Sequence, residues 1–247
     1  MRQRTEHRRS RGFTRWGLGF TLLVVFAAGS GAAAGGPRDA TDRVAPLQPE
    51  SLTQYRAFRR MHARSENFGQ EGWLEAWTEL DARGFRYQIV SERGSDAIRS
   101  RVLKALLKRE QELIEEGDPR RAALTHDNYD FQDATQGDGE QYVQIKPKRK
   151  DVLLLDGRMV LSQDGSELLR VEGRLTRNPS FWTSLVNVVR HYARLDGVRV
   201  PIATESVAKV KFAGTSHLEV RYEYETINGR PVSLAARHTA SSLSASR

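Results

Sequence analysis

The side chains with the clearest capacity for chemistry are basic and imidazole groups. Lys146-Pro147-Lys148-Arg149-Lys150 is the one dense basic cluster beyond the N-terminal segment. Lys146, Lys148, Arg149 and Lys150 are candidate contacts for the phosphates of lipid headgroups. The competing reading is a solvated loop, with Pro147 marking an exposed turn. His126-Asp127, with Asp130 and Asp133 nearby, is the best acid–imidazole cluster, although Asp-rich connecting loops share that composition without catalytic duty. His62, His191, His217 and His238 complete the histidines beyond the N-terminal segment, and none forms H-E-x-x-H or a paired metal spacing. There is no G-x-S-x-G, P-loop or G-x-G-x-x-G. Gly94-Ser95-Asp96 opens a helix and could receive an anion, but a plain cap explains it as well. The expectation is a non-enzymatic protein with no metal and no cofactor.

Binding an apolar ligand needs apolar surface left unfilled by the protein itself. Candidate groove residues are the branched and aromatic side chains on strand faces: Phe85, Tyr87, Ile89, Val143, Ile145, Leu169, Val171, Val220, Tyr222 and Tyr224. They serve equally well as core beneath helices. Trp73 and Trp77 share a face with Glu75 and Glu79, which suits either the rim of a half-wet groove or packing against a helix. An apolar cavity of roughly 300 Å³ or more under the helices favours ligand binding, and a filled core favours an interaction module.

These residues must be positioned by the elements that the periodicity predicts. Leu52, Tyr55, Phe58 and Met61, at three-residue spacing, predict a helix over Glu50 to Arg64. Trp73 to Leu80 and Phe85 to Ser91 alternate and are joined by Asp81-Ala82-Arg83-Gly84, a hairpin. Asp96 to Glu116 is the clearest helix, stopped by Gly117 and Pro119. Its apolar stripe is Ile98, Val102, Ala105, Leu106 and Leu113, broadened by Leu103 and Leu107, with Arg109 interrupting. About seven strands follow, separated by Asp156-Gly157, Asp164-Gly165, Asn178-Pro179, Asp196-Gly197 and Asn228-Gly229. Short connections favour antiparallel neighbours, and so long a succession of strands must curl. The fold class expected is α+β: a strongly curved antiparallel sheet of about nine strands, a half-open barrel, covered by two or more helices.

Composition places this domain. The 247 residues contain no cysteine, which excludes a disulfide scaffold, thiolate catalysis, Cys-ligated metals and a lipid anchor on cysteine. The formal charge is +8, but Arg2, Arg4, Arg8, Arg9, Arg11 and Arg15 against Glu6 place +5 of it in residues 1–34, leaving +3 for the rest. The Arg-rich start, the apolar run Leu18 to Ala28 and the small residues before Gly35 read as a signal peptide over 1–34, cleaved near Ala34. The apolar run falls short of the roughly 20 residues of a membrane-spanning helix, so an uncleaved anchor is the lesser reading. Residues 35–49 read as a flexible linker, 50–230 as one domain and 231–247 as a disordered tail. The expected location is periplasmic or otherwise exported. A short basic run without interleaved aromatics argues against nucleic acid.

The run Tyr142 to Ser180, YVQIKPKRKDVLLLDGRMVLSQDGSELLRVEGRLTRNPS, resembles the consecutive strands of the LolA-like family, with its Y-x-x-I-x-P-K strand, D-G turns and E-G-x-L strand. The preceding hairpin and helix extend the resemblance over roughly residues 50 to 230. That family comprises periplasmic lipoprotein carriers, their outer-membrane acceptors and RseB/MucB-type sensors. The resemblance implies a half-barrel whose apolar cavity takes a lipid acyl chain or a lipoprotein, with transient membrane contact. An envelope sensor or protein-interaction module, with an envelope protein as partner, is the alternative it leaves open. No individual ligand-contacting residue carries over.

Overall fold

The computed structural model describes residues 51–117, 119–180, 183–211, 214–237 and 240. The expected leader, the linker and residues 241–247 lie outside them. Twelve strands form one antiparallel sheet. They are β1 (Tyr55–Ser65), β2 (Gln70–Asp81), β3 (Gly84–Gly94), β4 (Tyr129–Phe131), β5 (Thr135–Gly137), β6 (Glu140–Pro147), β7 (Leu155–Ser162), β8 (Leu168–Leu175), β9 (Thr183–Leu195), β10 (Val198–Val210), β11 (Gly214–Ile227) and β12 (Arg230–Pro231). The order across the sheet is β3-β2-β1-β11-β10-β9-β8-β7-β6-β4, with β12 beside β11 and β5 beside β6. The first and last long strands, β1 and β11, thus pair inside the sheet, third and fourth from its β3 edge. The sheet does not close on itself.

Among the described residues one helix, α1, covers it. α1 runs without interruption through Asp96–Ile98, a π-helical stretch Arg99–Leu103, and Lys104–Glu116. The expected α+β half-open barrel with two or more covering helices is therefore corrected: among the described residues the fold is mostly antiparallel sheet, unclosed, with one covering helix. The segment read as the first helix is β1, whose burial alternates strictly: Tyr55, Ala57, Arg59, Met61, Ala63 and Ser65 are buried while their neighbours are not. Period two is strand geometry. The pattern was hidden because an arginine occupies the middle of the buried face, leaving Tyr55, Phe58 and Met61 to mimic a helical stripe. The strand count goes from about nine to twelve: β1 and the short β4, β5 and β12 are added, and the strand expected over Asp151 to Asp156 is lost, since Asp151 to Leu154 form a turn leading into β7.

The sheet curls around its buried face. Arg190 of β9 lies within electrostatic reach of Tyr129 on β4 and of Tyr222 on β11. In a flat sheet β4 would lie four strand spacings away, about 19 Å. Tyr129 also accepts a hydrogen bond at its hydroxyl from the Leu155 N–H of β7, two strands over (3.2 Å). Paired glycines help make the bend. Gly157 and Gly173 face each other across β7 and β8, and a Cβ on Gly173 would sit 2.5 Å from the Asp156 carbonyl oxygen. No side chain fits between backbones so close.

The inner face and α1 enclose a continuous apolar core that includes Met61, Leu74, Phe85, Leu103, Leu106, Leu107, Ile145 and Val220. Beyond β12, Val232 is buried, and Ser233 ties this segment to the β9–β10 turn through Asp196 (2.7 Å). A helical turn, 234–237, follows. Among the described residues no helix is long and apolar enough to cross a membrane.

Candidate functional site: an apolar groove at one end of the sheet

α1 has its two halves seated differently. In the C-terminal half Leu103, Leu106, Leu107, Glu110 and Leu113 are buried. In the N-terminal half Ala97, Ile98 and Val102 are only partly covered. The π-helical stretch lies between these faces, and such a turn rotates the face that follows it. The buried stripe is thus displaced from the one expected, and Glu110 stands inside it.

Glu110 is there because β1 offers it a partner. Both Arg59 and Glu110 side chains are 0% exposed. Arg59 donates Nη1–H to Oε2 (2.6 Å) and Nη2–H to Oε1 (2.9 Å), and a further Nη2 bond reaches the Tyr55 hydroxyl (2.7 Å). The guanidinium lies 4.8 Å from the Tyr222 ring centre and 5.1 Å from that of Phe85. Burial opposes the charge on Arg59, but Glu110, Tyr55 and Tyr222 together outweigh it and hold the group protonated. Burial raises the Tyr55 and Tyr224 hydroxyls well above the ordinary phenol and pushes Tyr222 up to about 12. This end of the interior is filled.

The other end is open. Between the N-terminal half of α1 and the ends of β1, β10 and β11 lies a groove of about 300 Å³. Ala97, Ile98, Val102 and Leu106 form the helix side. Ala63, Ser65, Ser206, Ala208, Ser216 and Leu218 line the sheet side. Of these six all but Leu218 are small, so the space that Tyr222 and Phe85 fill further along is left empty; Arg64 and His217 also border the groove. Phe68 of the β1–β2 turn, 58% exposed, stands at the rim with Gln70 and Arg101.

None of the twelve residues read from the sequence as groove candidates lines it. Phe85, Val143, Ile145, Val171, Val220, Tyr222 and Tyr224 are buried core, and Tyr87 and Ile89 pack half-buried against that core. Leu169 is half-buried in β8. Trp73 and Trp77 occupy the outer face, away from α1. Trp73 stacks on His62 (4.6 Å) under the Arg93 guanidinium, and Trp77 meets Phe58 edge-on beneath Arg56. Trp73 borders a hollow of about 520 Å³ on that face, where Arg221 pairs with Glu219 and Arg60 pairs with the neighbouring Glu223. In the basic cluster, Arg149 donates to Asn128 Oδ1 (2.6 Å) and to the Arg121 carbonyl (2.9 Å), fastening the loop, and Lys148 lies 3.6 Å from Asp130. Lys146 and Lys150 are exposed. His126 packs on the Phe131 edge. Among the described residues no three His, Asp or Glu side chains cluster as metal ligands.

The signal for the groove was present in the sequence as small residues on the inward register: Ala63 and Ser65, Ser206 and Ala208, Ser216. A search for bulky apolar residues finds what fills a core, whereas a vacant site is marked by their replacement with small ones.

Fold and groove together define a class: an open, mostly antiparallel one-sheet fold with, among the described residues, one covering helix and an apolar recess under one end of it. No family model matches the chain, and no curated protein matches it. Among solved structures it is similar to a DUF1329 family protein from Desulfovibrio piger ATCC 29098, at 12% identity and a TM-score of 0.37 over 73% of this chain and 88% of that one. It is also similar to MucB in complex with MucA(peri), at 11% identity and a TM-score of 0.21 over 81% and 94%. At those scores neither likeness carries an argument about function.

Proposed function

We propose that this is an exported, non-enzymatic binding protein that holds an apolar group, a lipid acyl chain or the lipidic part of a lipoprotein, in the groove beneath the N-terminal half of α1. The observation that supports it is the groove itself: about 300 Å³ with apolar walls and a floor of small residues, at the low end of the size usual for small-molecule sites. Export rests on the sequence of residues 1–34. The LolA-like resemblance of residues 142–180 agrees in kind of ligand.

The test is uptake. Protein isolated from the envelope of expressing cells, extracted with solvent, is expected to yield an acyl species by mass spectrometry. A fluorescent fatty acid is expected to bind saturably and to be displaced by an unlabelled one. Absence of both results ends the acyl-binding reading. The filled interior around Arg59 and Glu110 favours the second reading, an envelope interaction module that carries no lipid. That module predicts a stable protein complex and no uptake.

A further inference from the structure

The polarity of the groove is graded along the strands. Its outermost inward row pairs Ser65 of β1 with Ser216 of β11, and Gln70 of β2 stands across from Ser65 on the other side. One row further in are Ala63 and Leu218, with Ser206 of β10 across from Leu218. The next row, Met61 and Val220, is closed core. On the helix side Arg101 borders the groove from an exposed position, beside the apolar Ile98, Val102 and Leu106.

The polar groups around the outermost row can all donate hydrogen bonds. Ser216 Oγ is out of reach of solvent and has no hydrogen-bond partner among the described residues. Gln70 Oε1 already accepts from the Ser95 hydroxyl (3.1 Å), which leaves the Nε2–H groups to donate. Arg101 forms no ion pair among the described residues. The carboxylates of the adjoining turn and strand are engaged with other groups. Glu71 lies opposite Arg64 on the outer face, where it meets His62 (3.3 Å). Glu66 meets His217 (2.8 Å) and is further countered by Arg64. A hydroxyl, a side-chain amide and a guanidinium together offer hydrogens and one positive charge. Their complement is a carboxylate, whose two oxygens accept several hydrogen bonds and pair with arginine by charge. An ester or amide carbonyl in that place accepts at one oxygen and leaves the guanidinium charge unmatched.

We infer that the groove selects a single acyl chain ending in a free carboxylate, with the head at the mouth on Arg101, Gln70 Nε2 and Ser216 Oγ and the chain directed inward along Ala63 and Leu218. The inference rests on the reading of the groove as an acyl site and narrows it, to a free fatty acid rather than the ester- or amide-linked chain of a lipoprotein. A volume of about 300 Å³ suits one chain better than several.

The test compares head groups on one chain. Protein processed by its host is loaded with a neutral apolar dye, N-phenyl-1-naphthylamine, at a pH where fatty acids are ionised. The dye is displaced with myristate, myristyl alcohol or methyl myristate, each below its aggregation concentration. Myristate is expected to displace it at about tenfold lower concentration than the other two. Arg101→Gln, at an exposed helix position, should weaken myristate about tenfold and leave the alcohol and the ester unchanged, so that the three become equivalent. Ser216→Ala should weaken myristate in the same selective way but less. Arg83→Gln, in the β2–β3 turn at the other end of the strands, should change nothing. Equal displacement by all three compounds, or a preference for myristate that survives Arg101→Gln, overturns the inference and leaves the acyl groove standing. No displacement by any of them ends both.

Discussion

Arg59 on β1 and Glu110 on α1 meet through two parallel N–H···O bonds of 2.6 and 2.9 Å, with neither side chain reaching solvent. The pair joins the middle of the sheet to the one helix covering it, and it fixes the rotation of that helix. Apolar contacts tolerate sliding by a turn or a slight roll; a bidentate ion pair in an apolar box does not. With the helix pinned there, its N-terminal half stands over the small residues at the strand ends and leaves the groove.

The pair should therefore act as a unit in stability. Glu110→Leu alone leaves a buried guanidinium without its carboxylate and is expected to cost about 3–5 kcal/mol. Arg59→Met alone strands the carboxylate and should cost a similar amount. The double variant replaces both charges with apolar groups and should recover most of the loss, since a buried pair is often no more stable than its apolar replacement. Urea unfolding of the four proteins gives the coupling. Additive single effects would mean the two groups do not act through one another.

Groove occupancy should respond to its floor. Ala208 is buried and its Cβ borders the vacant space. Ala208→Leu places three more carbons there and is expected to abolish saturable uptake of a fluorescent fatty acid. Stability should change by no more than about 1–3 kcal/mol, because the added atoms enter space that already exists. Leu169→Ala, in β8 and away from the groove, should leave uptake intact. Unimpaired uptake by Ala208→Leu would place the ligand elsewhere.

Much of this molecule was legible beforehand. The β2–β3 hairpin, the extent of α1 and the succession of strands after it follow from alternation, the helical stripe and the D-G and N-G turns. What failed did so for physical reasons. β1 was misread because its central inward residue is Arg59, and the partner that makes an inward arginine tolerable is 51 positions further along the chain. Glu110 was invisible on α1 for the same reason. Asp151 to Asp156 alternates like a strand, but Asp151 to Leu154 form a turn, where Asp151 accepts from Arg121 (2.7 Å) and Leu154 is core, and only Leu155 and Asp156 belong to β7. The groove escaped because it is written in small residues at the ends of β1, β10 and β11, which adjoin only once the sheet order is known.

The tyrosines around Arg59 make an alkaline prediction. An ordinary tyrosine ionises at about pH 10. In the folded protein burial pushes Tyr222 up to about 12 and raises Tyr55 and Tyr224 further. Each hydroxyl thus holds its proton more tightly folded than unfolded. Its contribution is fully present below the unfolded value and is lost as pH rises from about 10 through the folded value. Urea midpoints should hold steady to about pH 9 and fall progressively above pH 10. Tyr222→Phe should flatten part of that fall, and an unchanged slope in this variant would rule out Tyr222 as a source.

The bend of the sheet gives the sharpest contrast among single substitutions. Gly157 of β7 faces Gly173 of β8, and a Cβ at position 157 would strike the Glu172 carbonyl oxygen and the Gly173 Cα. These neighbours are backbone atoms in a paired strand, so they yield only if the β7–β8 pairing opens. Gly157→Ala is therefore expected to destabilise the fold by about 3 kcal/mol or more, with the loss arising from strand pairing. Gly139, in the β5–β6 turn, has a left-handed φ of +75° but open space around its Cα. There alanine meets only the intrinsic cost of that conformation, about 1–2 kcal/mol. Hydrogen exchange separates the mechanisms: Gly157→Ala should expose amides along β7 and β8, whereas Gly139→Ala should change exchange only near its turn. Equal and local effects would show that the Gly157–Gly173 contact does not set the curvature.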